Sequence, residues 1–413
     1  MRAGSLWRVG AAALAAVIVA EAGVWLLRPR EPALEPAAVR EGDYFTDAQL
    51  ERARDYQTGQ WRLYAGTIAL QGGLLVLLAA GRPRFVRDRL VAWAGRPVLG
   101  AAAAGAALSL ALTVVALPLN AVAHERSADI GLSTQSAGAW LADQGRAVAI
   151  GVAFAALGAA LLMALVRRFG RMWWVPATVA VIAVEIAFVW LAPVLLAPLF
   201  NDFERLPRGG ARSEVVDLGR RAGVDVGEVY SIDASRRSTS LNAYVDGIGS
   251  TKRVVLYDNL LTGVERPALH SVVAHELGHV KNNDLMRGMA WVAVAAPLAL
   301  LFVGLLGARL ARREGAEPGL PASLPAYALA LTLAVTVLGV IGNQLSREIE
   351  ASADDFALQL TDDPRALISL QRGLAINNVS DPDPPGAVKE LLRTHPSTME
   401  RIGAAEAWRQ ERQ

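Results

Sequence analysis

Seven apolar runs, each near the roughly 20 residues that carry a helix across a bilayer, constrain what this chain of 413 residues can fold into. They lie at Leu6–Leu27, Leu63–Ala80, Val98–Leu119, Ala147–Val166, Trp173–Leu196, Gly288–Leu310 and Ala326–Leu345. Buried core helices of a large soluble protein would be shorter or broken by charge. A hydrophobic content of 53% also exceeds that of an ordinary soluble domain. The expectation is a mostly α membrane protein in contact with the lipid bilayer. The first run is read as a retained anchor, because its apolar stretch continues to Leu27 before charges return.

Between the runs the chain divides into four parts. Residues 1–200 hold five spans and short connectors, with polar stretches at 41–61 and 124–147 read as amphipathic or interfacial pieces. Residues 201–287 are globular in composition, 288–345 form a membrane hairpin, and 346–413 are globular again. The hairpin returns the two globular blocks to one membrane face. In the first block, 213–223 reads as a short helix closed by Gly223. Residues 241–248 and 253–260 read as strands joined by a Gly-Ser turn. With 41 basic and 39 acidic residues, and the basic ones clustered beside spans, no electrostatic footprint for nucleic acid is present. The absence of cysteine excludes disulfides, thiolate metal sites and a cysteine nucleophile. Any metal must sit on His, Asp or Glu.

Three of the five histidines fall in HSVVAHELGHVKNND, residues 270–284. Pro267 stands where a helix would start, and Leu269, Val272, Val273, Leu277 and Val280 give it an apolar face to about Asn283. Residues four apart on a helix stand one above the other, so His275 and His279 offer two imidazoles to one point with Glu276 beside it. This is the HExxH pattern of a zinc site. A catalytic zinc keeps three protein ligands and an open position. It lowers the pKa of a water toward about 7, and a neighbouring carboxylate can take the proton as the water attacks a peptide carbonyl. Glu276 is the candidate base. His270 lies five residues before His275, off that edge of the helix, and is read as packing or support. The competing reading is two histidines on an apolar face with no metal.

The third ligand must come from elsewhere, and SREIEASADDFALQL (346–360) continues the last membrane helix without a breaker. Glu350 and Asp354 share a face there. Like charges at that spacing repel by about 0.2–0.5 kcal/mol, which a cation or a histidine N–H between them reverses. Glu350 is assigned to zinc and Asp354 to a hydrogen bond with a ligand histidine. A solvated acidic surface that includes Glu348 and Asp355 is the alternative.

HELGH followed about 70 residues later by SREIEASAD, with a two-helix membrane hairpin between them, resembles the type I CAAX prenyl protease family of integral-membrane zinc metalloproteases. APLFNDFERL (197–206), LNAYVDGIGSTKRVVLYDNLL (241–261) and THPSTMERI (394–402) resemble further segments of that family. The resemblance implies one Zn2+ per chain on His275, His279 and Glu350, Glu276 as general base and Asp354 in support. It implies a peptide or protein substrate, held as an added strand by Asn242, Ala243 and Tyr244, with His395 and Arg401 facing the scissile carbonyl. The implied fold has seven transmembrane helices enclosing a chamber, closed by a gluzincin-like α+β zinc-protease domain. Glu21 and Glu185 fit such an interior or serve as hydrogen-bonded packing residues. The Ala- and Arg-rich sequence reads as bacterial, and the chain as a monomer. Arginines on the two faces roughly balance, so the cytosolic placement of the zinc domain rests on the resemblance. The substrate is expected to be membrane-associated, with lipidation left open. A non-catalytic receptor or chaperone on the same scaffold is the rival function.

Overall fold

The computed structural model describes residues 3–31, 33–81, 83–247 and 251–412. In chain order its first half comprises α1 (Ala3–Leu27), α2 (Asp47–Val76), the short linking helix α3 (Arg84–Ala92), α4 (Pro97–Asp129), α5 (Ala137–Phe169) and α6 (Trp174–Leu195). Next come α7 (Gly210–Ala222), α8 (Asp258–Gly263) and α9 (Arg266–Lys281). Helices α10 (Asp284–Arg313) and α11 (Leu324–Thr361) follow, and then α12 (Pro364–Asn377), α13 (Gly386–Leu392) and α14 (Thr398–Glu411). Among the described residues seven helices are long and apolar enough to cross a membrane. Helices suit that role because hydrocarbon leaves no partner for an unpaired backbone group.

The polar stretches expected at the interface are extensions of the spanning helices instead. Thr46 and Gln49 form a reciprocal capping box that starts α2 well before its apolar run, and Ser136 caps α5. These projecting ends grip the globular part. Arg237 Nε lies 2.8 Å from Asp143 Oδ2, and Gln57 donates to the carbonyl of Val379 at 2.9 Å. Lower down, α4 and α5 pack closely at Gly105, where a Cβ would meet the carbonyl oxygen of Ala155 at 2.6 Å.

Four short strands make one mixed sheet: β1 (Phe203–Arg205), β2 (Glu228–Ile232), β3 (Ala243–Asp246) and β4 (Arg253–Tyr257). Their spatial order is β1-β2-β4-β3. The antiparallel β3/β4 pair is the hairpin read from the sequence, and its Gly-Ser turn at 249–250 lies outside the described residues. β2 pairs with β4 in parallel, which leaves β3 at an edge. Arg253 clamps that edge through Asp246 at 2.9 Å.

Both globular blocks share one core. Val215 of α7, Leu256 of β4, Leu277 of α9, Leu358 of α11, Leu367 of α12 and Ala405 of α14 are all at most 1% exposed and belong to a single cluster. Each large side chain buried this fully contributes about 1.5–3 kcal/mol, so the HExxH helix is held from every side. Helix α11 belongs to both regions. Its 38 residues extend about 57 Å at ~1.5 Å per residue, nearly twice the ~30 Å of hydrocarbon. Its last turns, bearing Glu350 and Asp354, therefore stand clear of the bilayer.

A largely apolar cavity of about 1070 Å3 lies between α4, α5, α6, α10 and α11, lined in part by Ser109, Leu162, Glu185, Leu300 and Leu331. The two intramembrane glutamates divide. Glu185 faces this cavity with Oε2 shielded and without a hydrogen-bond partner among the described residues, whereas Glu21 accepts from Gln344 Nε2 at 3.2 Å and ties α1 to α11.

Candidate metal centre

The site forms where α9 crosses α11. Glycine at 278 permits the approach, since a Cβ there would press at 3.2 Å on Phe356 and 3.3 Å on the Cα of Ala353. The crossing brings Glu350 over the histidine pair. His275 Nε2 lies 3.2 Å from His279 Nε2 and 3.2 Å from Glu350 Oε2, and His279 Nε2 lies 3.6 Å from Glu350 Oε1. Three side chains separated by 75 positions thus point one atom each at a common centre.

The chemistry of these atoms fits a cation. The Nδ1 of His275 faces Asp354 Oδ1 at 2.9 Å, and that of His279 faces Asp284 Oδ2 at 3.0 Å. Ionised carboxylates only accept, so each ring donates from Nδ1 and, when neutral, turns a lone pair at Nε2 inward. One ring nitrogen from each histidine and the Glu350 carboxylate then converge on one point, a donor set suited to a metal ion. Donors about 2.0–2.1 Å from a tetrahedral zinc lie roughly 3.4 Å apart, close to the separations seen. Burial alone would lower the pKa of His275, but Asp354 and Glu350 outweigh it and push the group up to about 10. In the metal-free protein a proton takes the place of a cation.

Glu276 is shielded beside the histidines, where it accepts from the backbone N–H of Val245. Burial lifts its carboxyl above the ordinary range, against the pull of His275 and His279. It therefore sits against the open edge of β3. Tyr257 N–H donates to the carbonyl of Asn242 at 3.1 Å. By antiparallel alternation the next bonded pair is Tyr244 with Val255. The main chain of Tyr244 accordingly faces β4, and Ala243 and Val245 face the edge. This differs from the expected trio, because a one-residue change along a strand reverses the direction of every backbone group. Asn242 Oδ1 accepts from the N–H of Ala243 at 2.9 Å.

His395 stands at the rim, more than half exposed, with Nε2 3.2 Å from Glu350 Oε2. Arg401 is placed otherwise than expected. Its Nε and Nη2 both lie 2.6 Å from Asp354, on the Nδ1 side of His275 and away from the converging atoms. A carboxylate as buried as Asp354 requires a counter-ion, and Arg401 supplies it. His270 points away, to Glu214 at 2.9 Å. Asp284 was not singled out from sequence. Its only local signal is an acidic residue five positions after His279, across a helix break.

A body of membrane-crossing helices closed by an α+β domain that carries an HExxH helix and a carboxylate opposite it defines an integral-membrane metalloprotease. Comparison with known proteins agrees. Residues 209–409 match the model for peptidase family M48, and residues 32–202 match that for the CAAX prenyl protease N-terminal region of five membrane helices. The chain is 30% identical to the uncharacterized metalloprotease YhfN of Bacillus subtilis (strain 168), over 72% of this chain and 71% of that protein. It is 25% identical to CAAX prenyl protease 1 of Saccharomyces cerevisiae, over 72% and 70% respectively. The crystal structure of S. mikatae Ste24p shares the fold with a TM-score of 0.79 at 19% identity, covering 97% of this chain and 98% of that one. The chain belongs to peptidase family M48, and its relatives include the CAAX prenyl proteases. It is a multi-pass membrane metalloprotease, and its family implies a metal ion and a peptide or protein substrate.

Proposed function

We propose that the chain is a zinc endopeptidase in which His275, His279 and Glu350 hold the metal and Glu276 is the general base. The observation that carries this reading is the convergence of the Nε2 atoms of His275 and His279 and the Glu350 carboxylate on one point. A zinc ion held there supplies Lewis acidity, polarising a peptide carbonyl and making water acidic enough to attack near neutral pH. Glu276, whose carboxyl pKa is raised by burial, takes the proton from that water and passes it to the departing amine. The outward carbonyls of Ala243 and Val245 hold the substrate in extended form, a mode that makes little demand on sequence. His395, at the rim, donates toward the oxyanion as it develops. Arg401 and Asp354 keep His275 in its ligating tautomer. The zinc domain faces the cytosol, and the substrates are membrane-associated proteins or peptides.

The test is zinc content and cleavage by the purified protein in detergent, measured on a labelled peptide panel with and without prenylation. Cleavage with one zinc per chain is expected. Absence of both would remove the reading, and the ratio of rates on prenylated and plain peptides defines the substrate class.

A pH dependence follows from His275. Its pKa is raised above 6.5 in the metal-free protein. The stability it contributes is therefore complete below about 6.5 and is lost as pH rises through the folded value. Zinc must displace the same proton, so its affinity rises with pH. The melting-temperature gain from saturating zinc is expected to grow between pH 6.5 and 9 in a differential scanning measurement. A gain that stays flat over that interval would mean that no proton on His275 competes with the metal.

A further inference from the structure

Each of the two histidines is backed by its own aspartate–arginine pair, and the two pairs are rooted in different parts of the molecule. Behind His275 stand Asp354 and Arg401, the latter from the globular helix α14. Behind His279 stand Asp284 and Arg287, both in the first turn of the membrane helix α10. Asp284 is 7% exposed, with Oδ2 3.0 Å from His279 Nδ1 and Oδ1 3.5 Å from Arg287 Nε. Asn283 makes this possible. It adopts a left-handed conformation, φ 55°, which asparagine tolerates better than most residues, and so turns the chain sharply between α9 and α10.

Arg287 then reaches further. Its Nη1 donates to the carbonyl of Leu27 at 3.0 Å, and its Nη2 to the carbonyl of Asn282 at 3.4 Å. Leu27 is the last residue of α1, where helical carbonyls lack partners and a cation is favoured. One guanidinium thus caps the first membrane helix, closes the α9–α10 turn and faces the carboxylate that orients His279. Helix α1 is held in register beneath it by Ala20 and Val24 packing on Ala295, Ile341 and Leu345.

We propose that Asp284 and Arg287 are positioning residues for the metal ligand His279, and that through Arg287 the end of α1 is part of the metal site's scaffold. The inference rests on the reading of His279 as a ligand. Removing a carboxylate that orients a ligand histidine typically costs 10–100-fold in metal affinity. The charge on Asp284 keeps the ring donating from Nδ1. Arg287 acts one step further out, holding that carboxylate in place.

The measurement is the zinc dissociation constant by chelator competition on the full-length protein in detergent, with the melting temperature of each metal-free variant alongside. Asp284→Ala is expected to bind zinc about 10–100-fold more weakly. Asp284→Asn keeps the shape and an acceptor oxygen, guards against misfolding, and should fall between it and wild type. Arg287→Ala is expected to weaken zinc in the same direction by a smaller factor, and Arg287→Lys to restore part of it. Dissociation constants within twofold of wild type for Asp284→Ala, Asp284→Asn and Arg287→Ala, even with lowered melting temperatures, would make these residues purely structural and overturn the inference. Wild type that binds no zinc in a His275-dependent manner would remove the metal-centre reading and this inference with it. Tight wild-type binding untouched by the variants removes the inference alone.

Discussion

Glu276→Gln is expected to leave the protein folded and loaded with zinc while peptide cleavage falls by about 10²–10⁴-fold, the range of a lost general base. The substitution is nearly isosteric. A glutamine oxygen still accepts from the N–H of Val245, so the contact between α9 and the β3 edge survives. His275, His279 and Glu350 are untouched, and the metal stays. What disappears is a half-buried carboxyl whose pKa is raised by its surroundings, the group that would take the proton. Metal analysis and a quenched-fluorescence peptide assay on the same preparation read both halves. Cleavage at the wild-type rate would assign proton transfer to another group. Loss of zinc together with activity would mean that Glu276 supports the metal.

Removing the metal is the second large effect. Glu350→Ala takes away the one carboxylate among the converging atoms and leaves only the two imidazoles. Zinc is expected to be lost at micromolar free concentrations, and cleavage to drop to background. Chelation of the wild type should give the same inactive state, reversible on adding zinc, whereas Glu350→Ala should not recover. The fold should persist in both cases, because the globular core is built on apolar packing from six helices and the sheet. The melting temperature should nonetheless fall. A metal present at about 1,000 times its dissociation constant stabilises by ~4 kcal/mol. Residual zinc and full activity in Glu350→Ala would give the third ligand to another residue, with His395, 3.2 Å from Glu350 Oε2, as the nearest candidate.

The sequence by itself determined those features whose physics is local. Apolar runs of bilayer length become membrane-crossing helices wherever they stand, since the length of hydrocarbon to be crossed is the same for each. Helical pitch puts His275 beside His279 and Glu350 beside Asp354, because residues four apart share a face on any helix. The absence of a breaker between Leu345 and Glu350 was enough to carry α11 out of the membrane with its carboxylates. The polar stretches flanking α2, α4 and α5 misled for a related reason, as polarity marks contact with water and does not end a helix that has a good cap.

Only the tertiary structure decided the rest. Nothing within a few residues of Arg401 says that it neutralises Asp354, 47 positions earlier, because the choice of a buried charge's partner depends on which helices meet. The β3 register was equally out of reach. Which of Ala243, Tyr244 and Val245 face the edge follows from pairing with β4, and that pairing is set by contacts formed at a distance. Asp284 became visible as the partner of His279 only once Asn283 had turned the chain back. The link from His279 through Asp284 and Arg287 to Leu27 joins residues 252 positions apart. Such contacts exist only after the membrane helices have packed, since no local preference in the chain specifies them.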